Sequence, residues 1–326
     1  MTKHVVRAGA LALAALCIAS THAATAWKPS KAVELIATNA PGGGSDRILR
    51  IMATVLQDKK LLSVPVNVVN KPGGGGAIAY AYLNQHPGDG HYLVLGSKTI
   101  LTNNIQGRGP HYGEFTIVGL LFSEYISIVV KPDSQFKTGK ELMERLKKDP
   151  SALAFGIATS IGGGNHQGAA AAFKVSGIDV RKMRTVIFPS GGAATTALLG
   201  GHVDVVPISA AFAGSMAKQG QVRVLAVSSP SRLPGALADV PTYKEQGLDT
   251  VVTQWRIVVG PKGMSDAQVA YWEDALRRLR ETDEWKKELE ANAWKAENLT
   301  SAEARKFLER ENGEMRTFLG ELGLVK

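Results

Sequence analysis

Four short loops of the sequence are rich in glycine, and each lies between a predicted strand and a predicted helix. They are residues 39–46 (NAPGGGSD), 71–76 (KPGGGG), 159–166 (TSIGGGNH) and 190–193 (SGGA). The first turn of a helix has backbone N–H groups without partners and carries about half a positive charge. Because glycine has no Cβ, an anion can approach those groups closely. The pattern predicts that the carboxylate groups of a bound ligand are held by main-chain N–H groups and by hydroxyls. Any single loop could instead be a helix cap or a tight turn.

Two of these loops also contain side chains with a second interpretation. Ser45 and Asp46 could cap the helix that follows, and for Asp46 this is favoured because its carboxylate would repel an anion. His166 could act as a base with Asp204 or Asp46 as an orienting carboxylate, so a hydrolase stays an alternative. The sequence contains no P-loop, no Gly-x-Ser-x-Gly elbow and no His-Glu-x-x-His motif. We therefore expect no catalytic residue, no metal site and no cofactor.

Short runs rich in β-branched residues predict the strands that position these loops. They are residues 33–37, 64–69, 92–95, 126–130, 153–157, 185–188, 203–207, 222–227 and 256–259. Helical periods lie between most of them, as in the apolar stripe formed by Ile48, Met52 and Val55. Strand, loop and helix in repetition predict an α/β fold with mainly parallel sheets flanked by helices.

The first 26 residues have the organisation of a secretory signal peptide. Lys3 and Arg7 precede an uncharged apolar run over residues 8–18, and small residues follow, with cleavage expected near Ala23 or Ala26. The run is shorter than the roughly 20 residues that span a bilayer, so an uncleaved anchor is the weaker alternative. We expect export and removal of this segment.

Composition narrows the class of the mature chain. Cys17 lies inside the apolar run, after a Leu16 that is too large for a lipoprotein site, so disulfides and thiolate-bound metals are not expected. The remaining length suggests two domains.

The net charge of +9 becomes +7 without Lys3 and Arg7. This positive charge could steer anionic solutes or serve solubility alone. Nucleic acid is disfavoured by export and by only 6% aromatic residues.

Seven motifs occur in a specific order along the chain. They are Trp27-x-Pro29 and residues 40–46 (APGGGSD), 70–76 (NKPGGGG), 87–90 (PGDG), 198–204 (LLGGHVD), 225–227 (LAV) and 240–242 (VPT). Each motif is weak alone, but the ordered set resembles the substrate-binding proteins of tripartite tricarboxylate transporters, the Bug family. The resemblance covers essentially the whole mature chain.

The resemblance implies a two-lobed periplasmic binding protein fold of type 2, with the ligand cleft between the lobes. After the signal peptide at 1–26, one lobe should comprise residues 27–123 plus 229–326, and the other residues 124–228. In this family a carboxylate is held by amides and hydroxyls of the glycine loops, and Asp204 would support the second lobe. The ligand-binding residues expected from it are Asn39, Pro41, Gly42, Gly43, Gly44, Ser45, Ser97, Thr159, Ser160, Gly163, Gly164, Asn165, His166, Gly191, Gly192, Ala193, Asp204 and Arg256.

The resemblance also implies partners and a location. A large and a small integral membrane protein would take the ligand from this chain in the periplasm, with transport driven by an ion gradient. The chain itself would act as a monomer without cofactor, nucleic acid or catalytic activity. Two alternatives stay open, a ligand-sensing module for a signalling receptor and a periplasmic hydrolase.

Two departures from the family pattern affect the choice of ligand. Residues 189–191 (PSG) stand where many relatives have Tyr-Lys-Gly, so a lysine and an aromatic contact are absent. Residues 254–256 (QWR), with Trp272 and Trp285, are similar to the tricarboxylate-binding branch. Arg256 would bind a carboxylate with two hydrogen bonds if it faces the cleft, whereas a surface ion pair is the alternative. Citrate is the leading ligand on this basis.

Overall fold

The computed structural model describes residues 27–325, so the predicted signal peptide lies outside the described residues. The strands are β1 (Val33–Ala37), β2 (Val66–Asn70), β3 (Tyr92–Gly96), β4 (Phe115–Val130), β5 (Ala154–Ala158), β6 (Arg184–Phe188), β7 (Val206–Ser209), β8 (Arg223–Val227), β9 (Thr253–Pro261) and β10 (Lys295–Leu299). The helices are α1 (Gly44–Asp58), α2 (Ala77–Leu83), α3 (Thr99–Ile105), α4 (Gly139–Lys148), α5 (Gly164–Val175), α6 (Gly191–Leu199), α7 (Ala210–Lys218), α8 (Asp266–Glu281), α9 (Asp283–Ala291) and α10 (Ser301–Glu321). Strand and helix alternate over most of the chain, as the sequence predicts.

The larger sheet is mixed rather than mainly parallel. Its strand order is β10-β4-β9-β3-β1-β2, and β7 and β8 also pair with β4. Parallel pairing joins β1 to β2 and β3, and β5 to β6. The pairs that involve β4 or β9 are antiparallel. The expectation of mainly parallel sheets therefore holds among β1, β2 and β3 and between β5 and β6. It does not hold for the long strands β4 and β9, whose pairs are antiparallel.

Strand β4 connects the two lobes. Its first part, from Phe115 to Tyr125, pairs with β9, and its last residues, from Ile126 to Val130, pair with β7 and β8. The sequence predicts only residues 126–130 as a strand, whereas the structure extends it back to Phe115 over 16 residues. Glycine and hydroxyl residues interrupt the β-branched pattern in the first part, where antiparallel pairing on both edges stabilises the strand.

Apolar clusters divide between the two lobes. Two of them draw on residues 33–122 and 255–319, and include the large buried side chains Trp272 and Trp285. Another two draw on residues 128–248. Tyr243 and Leu248 belong to this second group, although they follow the predicted boundary at residue 229. The lobe boundaries themselves stay a prediction.

Helix α1 packs as its apolar stripe predicts. In α1, Ile48, Met52 and Val55 are buried against β1 and the neighbouring helices. The edge strand β10 was not predicted, because its charged and exposed residues do not show strand alternation. Between residues 27 and 325, no helix combines the length and the apolarity needed to cross a bilayer.

Candidate functional site

One cavity lies between the two lobes, at the carboxyl ends of β1, β3, β5 and β7. In α/β sheets ligands bind at this end of the strands, where the following helices begin. The centre of a water molecule can occupy about 70 Å³ of it. Since one water needs roughly 10–15 Å³ on this measure, there is space for a small organic acid.

The wall formed by the first glycine loop is the start of α1. Gly43 is the N-cap residue and packs so closely on Asn39 that a Cβ would lie 2.5 Å from the Asn39 Cγ atom. In the amide orientation that its neighbours require, the oxygen of Asn39 accepts from the N–H groups of Gly44 and Ser45 at 3.2 and 3.1 Å, and its nitrogen donates to the hydroxyl of Ser45 at 2.9 Å. The carboxylate of Asp46 points away from the cavity, where it accepts from the N–H of Gly42 and from Arg50. Asp46 therefore stabilises the loop from the first turn of α1, whereas the interpretation of Ser45 and Asp46 as caps is wrong, because the N-cap residue is Gly43 and has no side-chain cap.

The wall formed by the third glycine loop is the start of α5. Thr159, at the end of β5, has a φ of +67°. A β-branched residue in the left-handed region is strained, and such strain concentrates at functional sites. Gly164 lies against Gln254 so closely that a Cβ would overlap the Oε1 atom of Gln254. Gly164 and Asn165 line the cavity at the first turn of the helix.

The wall formed by the fourth glycine loop is the start of α6. Ser190 caps this helix, because its hydroxyl accepts from the N–H of Ala193 at 3.2 Å. Gly191 and Gly192 line the cavity, and they directly precede Ala193, whose N–H group is the one that Ser190 caps. The start of α7 adds Ser209 and Ala211 to the same wall without any glycine. Helix starts from both lobes thus place partial positive charge around one space.

The floor of the cavity is formed by the paired strands β4 and β9. Glu124 lies opposite Gln254 in the strand register, and Arg256 follows two residues later on the same face. The Nε atom of Arg256 donates to Oε1 of Glu124 at 2.9 Å, and its Nη2 atom donates to the same oxygen. The side chains of Arg256 and Glu124 are only 6% and 4% exposed. Arg256 is therefore in a buried ion pair beside the cavity and not in a surface ion pair.

The two lobes touch around the cavity. A Cβ on Gly192 would lie 3.8 Å from the carbonyl oxygen of Gly42, and one on Gly75 would lie 2.8 Å from the hydroxyl of Ser160. Glycine at these positions lets the lobes approach each other without side chains between them. Behind the cavity, the hydroxyl of Thr102 donates to the carbonyl oxygen of Gly162 at 3.1 Å. The structure therefore has the lobes closed together.

The residues that the sequence nominated for ligand binding fall into two groups. Those that line the cavity are Asn39, Gly42, Gly43, Gly44, Ser97, Thr159, Gly164, Asn165, Gly191, Gly192 and Arg256. Those outside its lining are Pro41, Ser45, Ser160, Gly163, His166, Ala193 and Asp204. Asp204 is exposed and accepts from the N–H of Ala154 at 2.7 Å, so it supports the start of β5 in the second lobe.

His166 is buried behind the third glycine loop. Its Nδ1 atom accepts from the N–H of Gly162 at 3.1 Å, and burial lowers the pKa of His166 to about 4. Asp46 and Asp204 are hydrogen-bonded elsewhere, so neither orients this imidazole. Within residues 27–325, no group of three or more His, Cys, Asp or Glu side chains could hold a metal ion.

Sequence reasoning missed several residues that line the cavity. They are Thr38, Arg47, Ile48, Gly75, Thr99, Glu124, Ala158, Ile208, Ser209, Ala211, Phe212, Gln254 and Trp294. For Glu124 a signal was available, because it is the only charged residue among the 16 residues of β4. A lone carboxylate in an otherwise uncharged strand must be paired or functional, since burying it unpaired is costly.

Comparisons with known proteins identify the family of the chain. The family model described as "Tripartite tricarboxylate transporter family receptor" matches residues 20–324. A Cupriavidus necator protein, the UPF0065 protein in the gbd 5′ region, is 27% identical over 327 residues, which cover 99% of this chain and 98% of that protein.

Solved structures show the same fold. MatC from Rhodopseudomonas palustris with bound malate is 21% identical, with a TM-score of 0.81 over 89% of this chain and 99% of that chain. Another R. palustris protein, with adipate, is 19% identical, with a TM-score of 0.83 over 91% of this chain and 99% of that chain. Proteins of this family are periplasmic binding proteins rather than enzymes. The chain belongs to the tripartite tricarboxylate transporter receptor family, TctC, whose members include the Bug proteins.

Proposed function

We propose that this chain is a periplasmic solute-binding protein that captures a small di- or tricarboxylate and delivers it to a tripartite tricarboxylate transporter. One observation carries the proposal: the starts of α1, α5 and α6, from both lobes, meet at a single cavity. Each helix start contributes about 0.3–2 kcal/mol to binding an anion, and each charge-assisted hydrogen bond about 1.5–3 kcal/mol. A micromolar dissociation constant needs only about −8 kcal/mol net.

The first-turn amides are the proposed carboxylate ligands. In α5 they belong to Gly164 and Asn165 and in α6 to Gly191 and Gly192. In α1 the amides of Gly44 and Ser45 donate to Asn39, so this helix would contribute through the partial positive charge of its first turn. Hydroxyl groups on Ser97, Thr99 and Ser209 line the same space. The predicted residues outside the lining, such as Ser45 and Ala193, would act through the backbone or by supporting the loops.

The nature of the ligand follows from the size and charge of the cavity. Malate and adipate are present in the two R. palustris structures, and both are small dicarboxylates. A four- to six-carbon acid suits a cavity with room for roughly five to seven waters. Citrate is the largest acid proposed, on the basis of residues 254–256 and the tryptophans of α8 and α9.

Closure of the lobes is the proposed mechanism. An open form would bind the acid to one lobe, and the second lobe would then close on it by bending where β4 passes from one sheet region to the other, near Tyr125. The closed shape would be recognised by the large and small membrane subunits. Because the ligand contacts both lobes, it shifts the population toward the closed form.

The location and boundaries are part of the proposal. Residues 1–26 would direct export and be removed, leaving Trp27 packed between His91 and Tyr271 at ring distances of 5.5 and 5.2 Å. The proposed lobes are residues 27–123 plus 229–326, and residues 124–228, in a monomer. Amino-terminal sequencing of protein isolated from the periplasm would locate the cleavage site, and retention of Met1 would contradict export with cleavage.

Calorimetry on the mature chain, with bound acid first removed by partial unfolding and dialysis, tests the proposal. Succinate, malate, glutarate, adipate, tricarballylate and citrate are titrated, together with the neutral sugar glucose and the cation putrescine as controls. We expect one or more acids to bind at micromolar or lower concentration and small-angle scattering to show compaction on binding. Binding of a control solute without any acid would reject the carboxylate site.

A further inference from the structure

Among the residues that line the cavity Glu124 is the only acidic one, and the other charged lining residues are Arg47 and Arg256. The side chain of Glu124 is 4% exposed, and it lies on the floor formed by β4 and β9, opposite Gln254. The helix starts that surround it favour an anionic ligand. A second carboxylate beside such a ligand would repel it unless another group compensates, so the position of Glu124 requires an explanation.

The two carboxylate oxygens of Glu124 have different environments. Oε1 accepts two hydrogen bonds from the guanidinium of Arg256, through Nε and Nη2. Oε2 accepts no hydrogen bond from any of the residues 27–325. An ionised oxygen that is removed from water and has no donor costs several kcal/mol. When the closed cavity holds a ligand in place of water, a donor on the ligand satisfies Oε2.

Arg256 places this oxygen close to the carboxylate subsite. Its Nη2 atom lies so near the start of α1 that a Cβ on Gly44 would be 3.3 Å away. The same guanidinium holds Glu124, so Arg256 contacts the carboxylate of Glu124 and also lies beside the start of α1. A ligand carboxylate that occupies the start of α1 beside Arg256 would therefore have Glu124 within reach of the atoms next to that carboxylate.

We propose that Glu124 selects carboxylates that carry a hydroxyl or ammonium donor next to the carboxylate, and disfavours the unsubstituted acids of the same length. This inference rests on the proposed carboxylate-binding function and adds the substituent that the ligand must carry. Arg256 acts as the positioning residue, because it fixes Oε1 and leaves Oε2 for the ligand. An unsubstituted acid would leave Oε2 without a donor and would place carbon hydrogens or a second carboxylate beside it.

The size of the preference follows from hydrogen-bond energetics. A hydrogen bond to a charged group contributes about 1.5–3 kcal/mol, and every 1.4 kcal/mol changes an equilibrium constant tenfold. We therefore expect the donor-bearing acid to bind about ten- to a hundredfold more tightly than its unsubstituted analogue. A binding site that is merely anionic would show no such difference between acids of equal charge.

Acids that share a carbon skeleton test the inference. Calorimetry compares succinate with malate and aspartate, glutarate with 2-hydroxyglutarate and glutamate, and tricarballylate with citrate. The comparison is made within each carbon skeleton of which at least one acid binds. We expect the hydroxyl or ammonium form to bind at least tenfold more tightly in the wild-type protein. A stronger effect of the hydroxyl or of the ammonium identifies which donor is used, and either supports the inference.

The variant Glu124→Gln tests whether the negative charge at this position is required for the preference. A neutral amide of the same size tolerates the absence of a donor, so the preference should fall by about tenfold. Glu34→Gln is the matched control, because Glu34 bonds Tyr82 outside the cavity and its loss should leave the ratio unchanged. Circular dichroism and thermal unfolding check that each variant folds.

Three outcomes are distinguishable. Equal affinities within every skeleton in the wild-type protein would overturn the inference and leave carboxylate binding intact, and this result needs no variant. An unchanged ratio in a folded Glu124→Gln protein would overturn the role of Glu124. Absence of binding by all the acids would reject the proposed function and the inference together.

Discussion

The amine of Lys98 donates a hydrogen bond to Oε1 of Gln167 at 3.1 Å, and this bond joins the two lobes behind the cavity. Lys98 directly precedes α3 in one lobe, whereas Gln167 lies in α5 of the other. The carboxylate of Glu311 in α10 lies 3.9 Å from the same amine. Burial lowers the pKa of Lys98, which means that its charge is held in the folded protein at some cost. The contact forms only when the lobes are together, so it stabilises the closed form.

Replacing Lys98 should therefore weaken ligand binding. In Lys98→Met the hydrogen bond between the lobes is lost, which should lower ligand affinity about tenfold because the closed form is less populated. The temperature of unfolding should fall moderately, because Glu311 loses the cation beside it and keeps only the hydrogen bond from Trp255. Calorimetry and thermal unfolding measure the two effects, with the exposed Lys147→Met as control. Unchanged affinity would show that this contact does not influence closure.

A second prediction concerns the glycine at the start of α5. A Cβ at Gly164 would overlap Oε1 of Gln254, so Gly164→Ala should push that side chain into the cavity. Overpacking of this kind costs about 1–3 kcal/mol, and the same free energy lost from ligand binding lowers the affinity about five- to 150-fold. Calorimetry is the measurement, and circular dichroism should show an intact fold.

Gly313→Ala is the control for that substitution. Gly313 lies in α10, and a Cβ added there would have no atom within 4 Å, so alanine should leave affinity unchanged. Its higher helix propensity should raise the free energy of unfolding by up to about 1 kcal/mol. Equal affinities of the Gly164→Ala and Gly313→Ala proteins would mean that the third glycine loop is only a turn.

The pH dependence of stability should reveal His166. Burial lowers its pKa to about 4 in the folded protein, whereas an unfolded histidine has a pKa of about 6.5. Between these values the unfolded chain binds the proton and the folded chain does not, so the free energy of unfolding falls as the pH decreases from 6.5 to 4. The contribution is about 3 kcal/mol over this window.

Denaturant unfolding at several pH values measures this effect. In His166→Asn the amide oxygen can still accept from the N–H of Gly162, but the titration is removed, so the decrease between pH 6.5 and 4 should become smaller. The exposed His202→Asn should behave as wild type. If the His166→Asn protein shows the full wild-type dependence, other groups are responsible for it.

Intrinsic fluorescence should report ligand binding through one tryptophan. Trp294 lines the cavity and stacks on Phe122 with ring centroids 4.1 Å apart, whereas Trp27 packs near the amino terminus of the described chain. A ligand that displaces water beside Trp294 should change its emission. We expect Trp294→Phe to remove most of the ligand-dependent change and Trp27→Phe to retain it, as measured in an acid titration. A full signal in the Trp294→Phe protein would place the ligand elsewhere.

Local sequence patterns were sufficient to predict the loops that surround the cavity. The junctions before α1, α5 and α6 could be predicted because a glycine run between a strand and a helix depends only on neighbouring residues. The alternation of strands and helices was predicted for the same reason. The start of α7 was missed because Ser209 passes from strand to helix without glycine.

The partners across the cavity depended on tertiary structure. Glu124 and Arg256 are more than a hundred residues apart in the sequence, and only the antiparallel register of β4 and β9 brings them together. The sequence therefore left Arg256 between a ligand contact and a surface ion pair, and although Glu124 is the only charged residue of β4, nothing in the sequence identified Arg256 as its partner. The amino-acid sequence by itself determined which backbone segments could present free amides, because that property is local. Which side chains share the enclosed space with them was decided by strand pairing over long distances.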